Sequence, residues 1–376
     1  MIIEKRRCRQ IFGISLAVGV LLSMYSCSGC SFLPERSAEP ENCTILTYNV
    51  QNLFDDVNDG TEYDEFIPAT GGWNSGLFHL KLQRVSEVLT RFPGGGADII
   101  LLQEVENENV LEMLRTHYLK GGGYRYSAVS DAPDTAVQTA VLSRFPITQV
   151  KAHTVTLNGQ AVGRPILECS FEAGGRKLVL FCCHWKSKSG GAENTEPDRI
   201  AAAGVLADIL QTKSADEASV PVLVAGDLNE CIDEWELHSG TYRTALMPAS
   251  RIGADVGEGN GGGNTGGSGE SGKSLFVSGE FDDAGIHDGH TVLFSPWLAG
   301  GNYQGSYAYR GTWEKIDHFL LNGCFKDSMG IEYDSFRVID DTLLLDDEGY
   351  PARWIPDLER GYSDHLPLML SCTFLY

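Results

Sequence analysis

The sequence predicts an α+β protein, a four-layer α/β/β/α sandwich in which two mixed β-sheets pack face to face with helices outside. Apolar runs of strand length are numerous, and Gly174-Gly175 joins two of them as a hairpin. Apolar stripes at helical spacing separate other runs. We expect residues 43–376 to form a single domain, because large sandwiches reach this length without dividing.

The first part of this domain alternates between strands and helices. Residues 44–50 are rich in β-branched and aromatic types and predict a strand. Residues 79–92 carry a helical apolar stripe that stops at Pro93. Residues 98–104 are a continuous apolar run ending in a carboxylate, and residues 110–118 predict a short helix.

Strands dominate the remainder, with one further helix at residues 197–210. Residues 253–273 contain almost no apolar residue and predict a low-complexity surface loop. Strand signals resume after this loop, so we interpret it as an insertion within the domain. The predicted strands are residues 124–130, 138–143, 165–171, 177–184, 220–225, 306–310, 316–321, 335–339 and 366–374.

The N-terminus has the layout of a bacterial export signal. Basic residues at 5–9 precede an apolar stretch at 11–24, which is too short to span a bilayer comfortably. Cys27 follows, in a context that resembles a relaxed lipoprotein lipobox. We expect a signal peptide at residues 1–26 and a lipid-anchored tether at residues 27–42, with lipidation at Cys27. The protein would then be exported and anchored to the cell envelope, facing the periplasm or the surface. Ordinary signal cleavage and an uncleaved anchor are the alternatives.

The overall charge and the cysteines exclude some classes of protein. A net charge of −22 argues against a binder that holds nucleic acid through its overall field, but not against a nuclease that uses metal ions and local basic residues. None of the seven cysteines after Cys30 shows zinc-ligand spacing, and we interpret them as small buried apolar residues.

Polar side chains lie where the predicted strands end. Strand ends on one edge of a sheet bring distant residues into one cleft. Oxygen donors without thiolates suit a hard cation such as Mg²⁺ or Mn²⁺, and histidines add proton transfer at neutral pH. Each motif alone is more often a turn or a solvated strand end. Four runs end in Asn49, Glu104, His184, and Asp227 with Asn229. A fifth strand carries Asp317, and a turn just before the last strand carries Asp364 and His365.

Taken together and in this order, the motifs resemble the endonuclease/exonuclease/phosphatase superfamily, which includes deoxyribonuclease I (DNase I), abasic-site endonucleases, neutral sphingomyelinases and inositol-polyphosphate 5-phosphatases. The resemblance runs from Thr44 to the C-terminus and implies a DNase I-like fold. The matching segments are residues 47–50, 102–104, 140–147, 164–165, 184, 226–229, 315–318 and 363–365.

The resemblance implies a role for each of these residues. Glu104 would ligate the metal with the help of Asn49, and Asp364 would contact the metal directly or through water. The ion would be Mg²⁺ or Mn²⁺, with Ca²⁺ as a possible structural or second ion. Asp227 would orient or deprotonate the attacking water, and Asn229 would hold the phosphate.

The histidines complete the implied site. His365 would face the phosphate while Asp317 holds its far nitrogen, because a carboxylate fixes the tautomer of an imidazole. His184 would donate to a phosphate oxygen or aid the leaving group. Strand alternation places His318 on the face opposite Asp317, so we expect His318 to be structural.

The sequence departs from the superfamily pattern in two places. Residues 55–73 lengthen the spacing between Asn49 and Glu104 with an acidic segment, which we interpret as a solvated loop, with cation binding as the alternative. The glycine-rich segment at residues 253–273 falls where the family places loops that face the substrate.

The predicted function is metal-dependent hydrolysis of a phosphodiester, with nucleic acid as the expected substrate and Arg164, Lys186 and Lys188 as phosphate contacts. A sphingomyelinase-like lipid phosphodiesterase is the first alternative, and it would need an exposed apolar or aromatic loop at the mouth of the pocket. Trp297 and Trp354 are candidates for that loop, although packing in the core is the favoured interpretation of both. A catalytically silent binding lipoprotein of the same fold is the second. We expect a monomer, since no protein partner is evident.

Overall fold

The computed structural model describes residues 42–91, 95–132, 134–253 and 274–375. The expected signal peptide at residues 1–26, Cys27 and nearly all of the tether at residues 27–42 lie outside the described residues. Positions 254–273 of the predicted glycine-rich loop also lie outside them. Within the described part of the chain, no helix is long and apolar enough to cross a membrane.

Strands form most of the regular structure. The strands are β1 Asn42–Leu53, β2 Ile99–Val105, β3 Tyr126–Val129, β4 Gln138–Ser143, β5 Ile147–His153, β6 Thr156–Leu157, β7 Gln160–Ala161, β8 Ile166–Ala173, β9 Arg176–His184, β10 Val222–Asp227, β11 Leu246–Pro248, β12 Leu275–Ser278, β13 Gly285–His287, β14 His290–Phe294, β15 Tyr307–Tyr309, β16 Thr312–Glu314, β17 Asp317–Leu321, β18 Ile331–Val338 and β19 Leu368–Phe374.

The helices are few. They are α1 Ser75–Thr90, α2 Glu108–Met113, α3 Ala192–Asp216 and α4 Glu234–Leu237, and α2 continues as a π-helical turn over Leu114–Tyr118. Short 3₁₀ turns connect other elements, at Asp64–Phe66, Ala249–Arg251, Phe281–Asp283, Gly323–Lys326, Thr342–Leu344 and Pro356–Leu358.

Two mixed sheets carry the fold. The first has six strands in the order β18-β19-β1-β2-β4-β3, and the second has nine in the order β11-β12-β14-β17-β10-β9-β8-β5, with β13 beside β14. β1 runs parallel to β2, and β9 runs parallel to β10, whereas β17 is antiparallel to β10. The sheets face each other where β1 and β2 meet β10 and where β4 meets β9. The predicted sandwich of two mixed sheets is therefore confirmed.

The helices lie outside the sheets. α1 contacts β1 of the first sheet through a buried face that includes Phe78, Leu82 and Leu89. α3 contacts β12 and β14 of the second sheet. One continuous core of buried apolar side chains joins both sheets to these helices, so the strand ends are fixed on a rigid base.

Eight strands in the described part of the chain were not predicted, and α3 is longer than predicted. The unpredicted strands are β5, β6, β7, β11, β12, β13, β14 and β16. Most side chains of β5 are exposed, so the alternation that signals a strand is missing there. β12 and β14 are short, and β12 begins just after the glycine-rich segment. α3 begins at Ala192 and keeps Pro197 inside it, whereas the proline suggested a start at residue 197.

The cysteines occupy the predicted environment. The seven cysteines after Cys30 are free thiols, and all of them are buried except the half-buried Cys324. Cys183 and Trp185, the neighbours of His184, are both buried, as strand alternation requires.

Gly226 allows β9 and β10 to approach closely just before the end of β10. It pairs with Cys183 in the register and has a φ of +130°. A Cβ atom added at Gly226 would lie 2.1 Å from the backbone oxygen of Cys183. Only glycine fits at this position, and the next residue pair along the two strands is Asp227 with His184.

Gly226→Ala should therefore destabilise the fold by about 3 kcal/mol or more, because it adds a steric clash to the cost of the backbone conformation. Gly175→Ala is the matched control, since Gly175 also has a positive φ but nothing lies within 4 Å of its added Cβ. That control should cost about 1 kcal/mol. Urea denaturation of both variants measures the difference, and equal costs would show that the close approach is unimportant.

Candidate active site

Three of the predicted site residues lie side by side in the second sheet. Asp227 at the end of β10 pairs in the register with His184 of β9 on one side and with Asp317 of β17 on the other. All three side chains are buried. The first sheet contributes Asn49 from β1 and Glu104 from β2, which the sandwich brings against this row.

Asn49 links the two sheets. Its Nδ2 donates to Glu104 Oε1 at 3.0 Å in the first sheet and to Asp227 Oδ2 at 3.0 Å in the second. Its Oδ1 accepts from the backbone N–H of Gln51 at 3.0 Å. In this arrangement the amide group of Asn49 orients two carboxylates, and its oxygen is occupied by the backbone.

Glu104 is held in an unusual backbone conformation. Its φ is +65°, and the pairing of β1 with β2 is interrupted opposite it, where Gln51 and Asn52 also have positive φ values. The backbone N–H of Asn52 donates to Glu104 Oε2 at 2.8 Å. Such conformations cost of order 1–3 kcal/mol each and occur at functional sites. The side chain of Glu104 retains 19% exposure, so its carboxylate is accessible from the cleft.

His365 and Asp317 form a buried pair. The His365 Nδ1–H donates to Asp317 Oδ2 at 2.8 Å, and the same oxygen accepts from Ser306 Oγ at 2.6 Å. The ring of Tyr307 lies 4.7 Å from that of His365. Burial by itself would lower the pKa of His365, but the carboxylates of Asp317, Asp227 and Asp364 raise it to about 10.

His184 has the opposite electrostatic environment. Its Nε2 lies 3.6 Å from Asp227 Oδ2 and 3.8 Å from Glu104 Oε1. Burial lowers the pKa of His184 well below its usual range, and the positive charges of Arg164 and His365 lower it further. Asp227 therefore lies near a neutral imidazole, that of His184, and a protonated one, that of His365. Burial raises the pKa of Asp227, and the positive charge of His365 opposes this rise.

The turn that carries Asp364 is fastened to the end of β1. Ser363 Oγ donates to the backbone oxygen of Asn49 at 2.7 Å, and the Asp364 N–H donates to Gln51 Oε1 at 3.0 Å. Lys81 of α1 supports the same turn, because its buried Nζ donates to the backbone oxygen of Tyr362 at 2.7 Å. These contacts place Asp364 beside the strand ends.

Asn229 and Asp227 form the turn that follows β10. The backbone N–H of Asn229 donates to Asp227 Oδ1 at 2.9 Å, and Asn229 Nδ2 donates to the backbone oxygen of Trp185 at 3.2 Å. The Asp-x-Asn motif is therefore an ordinary Asx turn that also borders the site.

The donor set suits a hard divalent cation. The carboxylates of Glu104, Asp227 and Asp364 offer oxygen, and Glu104 is held by two hydrogen bonds while still accessible. Asp227, Asp317 and His365 also have ligand atoms within 4.8 Å of one another. Asp317 Oδ2 already accepts from two donors, so that trio could serve in proton transfer, while the accessible carboxylate of Glu104 could hold a metal.

The basic candidates for substrate contact differ in their surroundings. Arg164 is half-buried and close enough for its charge to act on His184. Lys186 is half-buried, and its ammonium forms no hydrogen bond or ion pair with the described residues. Lys188 instead lies 2.6 Å from a carboxylate oxygen of Glu234 and 3.2 Å from one of Glu314, so its charge is neutralised within the protein.

An open cleft of about 390 Å³ adjoins the site, and Tyr307 and Asp364 form part of its wall. Tyr309 is 50% exposed there, and the guanidinium of Arg310 lies 5.0 Å from its ring. Tyr350 and Arg353 also line this cleft. Aromatic rings and guanidinium groups thus meet at the mouth of the site.

Several other side chains prove to be structural. Trp297 and Trp354, the candidates for an exposed aromatic loop, are only 8% and 2% exposed. His318 is buried on the face away from Asp317, and its Nε2 lies 2.8 Å from the backbone oxygen of Glu230. The expectation that His318 is structural is confirmed.

Gln51, Ser306 and Lys81 support the site, but the sequence analysis did not predict these roles. Gln51 follows Asn49 by two residues on the same strand, and this spacing gives only a weak indication that its side chain lies near the site. Ser306 and Lys81 carried none, because each acts through a tertiary contact with a residue distant in the chain.

Comparisons with known proteins identify a family and a fold. The sequence profile described as "Endonuclease/Exonuclease/phosphatase family" matches residues 44–241. A comparison with curated protein sequences gives no significant match.

Solved structures share the fold at low sequence identity. An endonuclease/exonuclease/phosphatase family protein from Bacteroides thetaiotaomicron is 15% identical, covers 90% of this chain and 99% of its own, and has a TM-score of 0.52. Truncated TDP2 from Caenorhabditis elegans is 15% identical over 89% of this chain and 98% of its own, with a TM-score of 0.51. TDP2 from D. rerio, solved with a single strand DNA product, is 15% identical over 89% and 100%, with the same TM-score.

The profile spans more than half of the chain, and the solved structures show a DNase I-like fold. The chain therefore belongs to the endonuclease/exonuclease/phosphatase family of phosphodiesterase- and nuclease-type hydrolases.

Proposed function

We propose that this protein is a divalent-metal-dependent phosphodiesterase that cleaves nucleic acid outside the cytoplasm. The observation that carries the proposal is the buried row of His184, Asp227 and the Asp317–His365 pair, which Asn49 joins to the carboxylate of Glu104. These groups can activate a water, hold a phosphate and hold a metal in one cleft.

Glu104 and Asp364 would hold Mg²⁺ or Mn²⁺, with Asn49 orienting Glu104. When bound, the ion offsets the negative charge that develops on the non-bridging oxygens of the phosphate. The strained backbone at Glu104 supports this assignment, because the fold tolerates an unfavourable backbone conformation that places the carboxylate at the cleft.

Asp227 would orient and deprotonate the attacking water. Its Oδ1 is fixed by the Asn229 N–H and its Oδ2 by Asn49, so the carboxylate has one orientation. A raised pKa increases the basicity of the carboxylate, which suits a proton acceptor. Asn229 lies at the same turn, from which its side chain would hold the phosphate.

His365 would stabilise the charged phosphate as an imidazolium, with Asp317 fixing its orientation. The uncharged His184 would donate a hydrogen bond from Nε2 to a phosphate oxygen or assist the leaving group. Both histidines approach Asp227 from different sides, at 3.9 Å for His365 and 3.6 Å for His184.

Nucleic acid is the substrate that the surroundings support. Tyr309 and Tyr350 would stack on bases beside the site, and Arg310, Arg353, Arg164 and Lys186 would contact phosphates. The likeness in fold to TDP2 from D. rerio, solved with a single strand DNA product, is consistent with this substrate. Lys188 is left out, because its charge is already neutralised by two carboxylates.

The alternatives have less support. A lipid phosphodiesterase would use an apolar rim, but Trp297 and Trp354 are buried. A silent binding protein would have no need for a strained metal-facing carboxylate and a buried histidine–carboxylate pair. Export, with lipidation at Cys27, is proposed from the layout of the N-terminus alone.

Purified protein lacking residues 1–30 should cleave DNA or RNA in the presence of Mg²⁺ or Mn²⁺ and should stop when EDTA is added. A panel that also contains sphingomyelin, inositol phosphates and a simple phosphodiester reporter identifies the substrate class. Cleavage of sphingomyelin alone would favour the lipid enzyme. Inactivity on every substrate, at any metal concentration, would favour the binding protein.

His184→Ala, Asp227→Ala and His365→Ala should each lower kcat/KM by about 10²–10⁴-fold, since each removes a group that exchanges protons with the reactants or contacts the phosphate. Asp317→Asn should lower kcat with little change in KM, because it disturbs only the orientation and charge of His365. His318→Ala and the exposed His117→Ala are controls and should keep full activity per folded molecule. Equal losses in the controls would refute the assignment.

Growth of the native host with a labelled fatty acid should label the wild-type chain and leave the Cys27→Ser variant unlabelled. The variant should remain unlabelled because it lacks the Cys27 thiol to which the lipid is attached. Label retained by Cys27→Ser would contradict the proposed anchor, while catalytic activity provides a separate control for folding.

A further inference from the structure

A second group of carboxylates lies outside the candidate active site, where the acidic segment after β1 meets the end of β2. Asp59 and Glu62 come from that segment, and Glu106 follows β2. One oxygen of each carboxylate lies within 4.8 Å of the others. Asp59 is exposed, Glu62 is half-buried and Glu106 is buried.

Glu106 provides an observation independent of the acidic segment. It is only 4% exposed, and its Oε2 accepts from the backbone N–H of Asp55 at 2.7 Å. Its Oε1 is buried and has no hydrogen-bond partner among the described residues. A buried acceptor without a partner destabilises the fold, and more so when it is charged. A cation beside this oxygen would remove that destabilisation.

The acidic segment is anchored to the core rather than loosely solvated. Phe54, Phe66 and Trp73 are buried and pack together, with ring centroids 4.5 Å and 5.0 Å apart. Trp73 Nε1 donates to the backbone oxygen of Asp55 at 2.6 Å. The N–H of Gly60 donates to Glu62 Oε2 at 2.8 Å. The chain between the anchors therefore presents Asp59 and Glu62 to Glu106 in a defined shape.

Nothing in the described part of the chain neutralises this charge. No lysine, arginine or histidine there lies within ion-pair distance of Asp55, Asp59, Glu62 or Glu106. Asn107 contributes a neutral side-chain donor, with its Nδ2 3.4 Å from oxygens of Asp55 and Asp59. An open cleft of about 430 Å³, lined by Asp59, Glu106 and Asn107, leaves room for water ligands.

We propose that Asp59, Glu62 and Glu106 bind a Ca²⁺ ion. Two oxygens on opposite sides of a Ca²⁺ ion at ~2.4 Å are ~4.8 Å apart, and the three carboxylate oxygens all lie within 4.8 Å of one another, so one ion can contact all three. Ca²⁺ also accepts irregular sites of six to eight oxygens completed by water, whereas Mg²⁺ requires shorter, octahedral coordination. This site is distinct from the metal site proposed at Glu104.

The ion would act on the active site through the backbone. Glu106 follows Glu104 by two residues, and its N–H donates to the backbone oxygen of Leu53 at 3.1 Å. Asn52, the neighbour of Leu53, donates to Glu104. Binding at Glu106 would therefore fasten the acidic segment to the strand ends that hold Glu104, and we assign the ion a structural role.

Thermal unfolding of the full chain, first stripped of metal with EDTA, tests the proposal. Ca²⁺ well above its dissociation constant should raise the melting temperature by ~3 °C or more. The double variant Asp59→Asn/Glu62→Gln should lose this rise. The matched control Asp64→Asn/Glu65→Gln, at exposed acids of the same segment, should keep it. Glu104→Gln should also keep it, because that variant alters only the other metal site.

Calorimetric titration of Glu62→Gln with Ca²⁺ gives a second measurement should the double variant fail to fold, and it should show at least a tenfold weaker site. A rise that survives in the double variant, or that disappears only in Glu104→Gln, would overturn the proposal. An unchanged melting temperature of the wild type would do so as well, since Glu106 would then be kept neutral by a proton. An equal rise with Mg²⁺, lost in the double variant, would overturn the choice of Ca²⁺.

Discussion

The side-chain amide of Asn49 is the contact on which the catalytic arrangement depends. Its two N–H groups donate to Glu104 in one sheet and to Asp227 in the other. A neutral donor between two carboxylates lets both remain close without a salt bridge, and it fixes the distance between the two sheets at that edge. The metal-facing group and the water-activating group are therefore positioned by a single residue.

The rest of the structure supports this contact from both sides. In the second sheet, Gly226 allows the approach of β9 and β10 that sets His184 beside Asp227. In the first sheet, the interrupted pairing of β1 with β2 aims Glu104 at the cleft. The turn at Ser363 is fastened to the backbone of Asn49, so Asp364 and His365 follow the same anchor. The acidic segment with Glu106 is fastened to the same strand ends from outside the cleft.

Much of this could be predicted from the sequence, because strand ends and chain order are local properties. Asn49, Glu104, His184 and Asp227 are polar residues at the ends of apolar runs, and Asp317 lies on a further predicted strand. Burial of a side chain and its hydrogen-bond or ion-pair partners depend on residues distant in the chain, so they could not be predicted from the sequence. Lys188 was predicted to contact phosphate, but its ammonium forms ion pairs with the carboxylates of Glu234 and Glu314. The contact of Ser306 with Asp317 could not be predicted, because only the tertiary fold brings the Ser306 hydroxyl to that carboxylate.

The most direct test of the account is the position of a metal ion in a crystal of the protein soaked with Mn²⁺ and examined by anomalous scattering. We predict a peak coordinated by the Glu104 carboxylate near Asp364, which disappears in Glu104→Gln crystals. Manganese bound elsewhere, with no peak at Glu104 in the wild-type protein, would contradict the proposed active site.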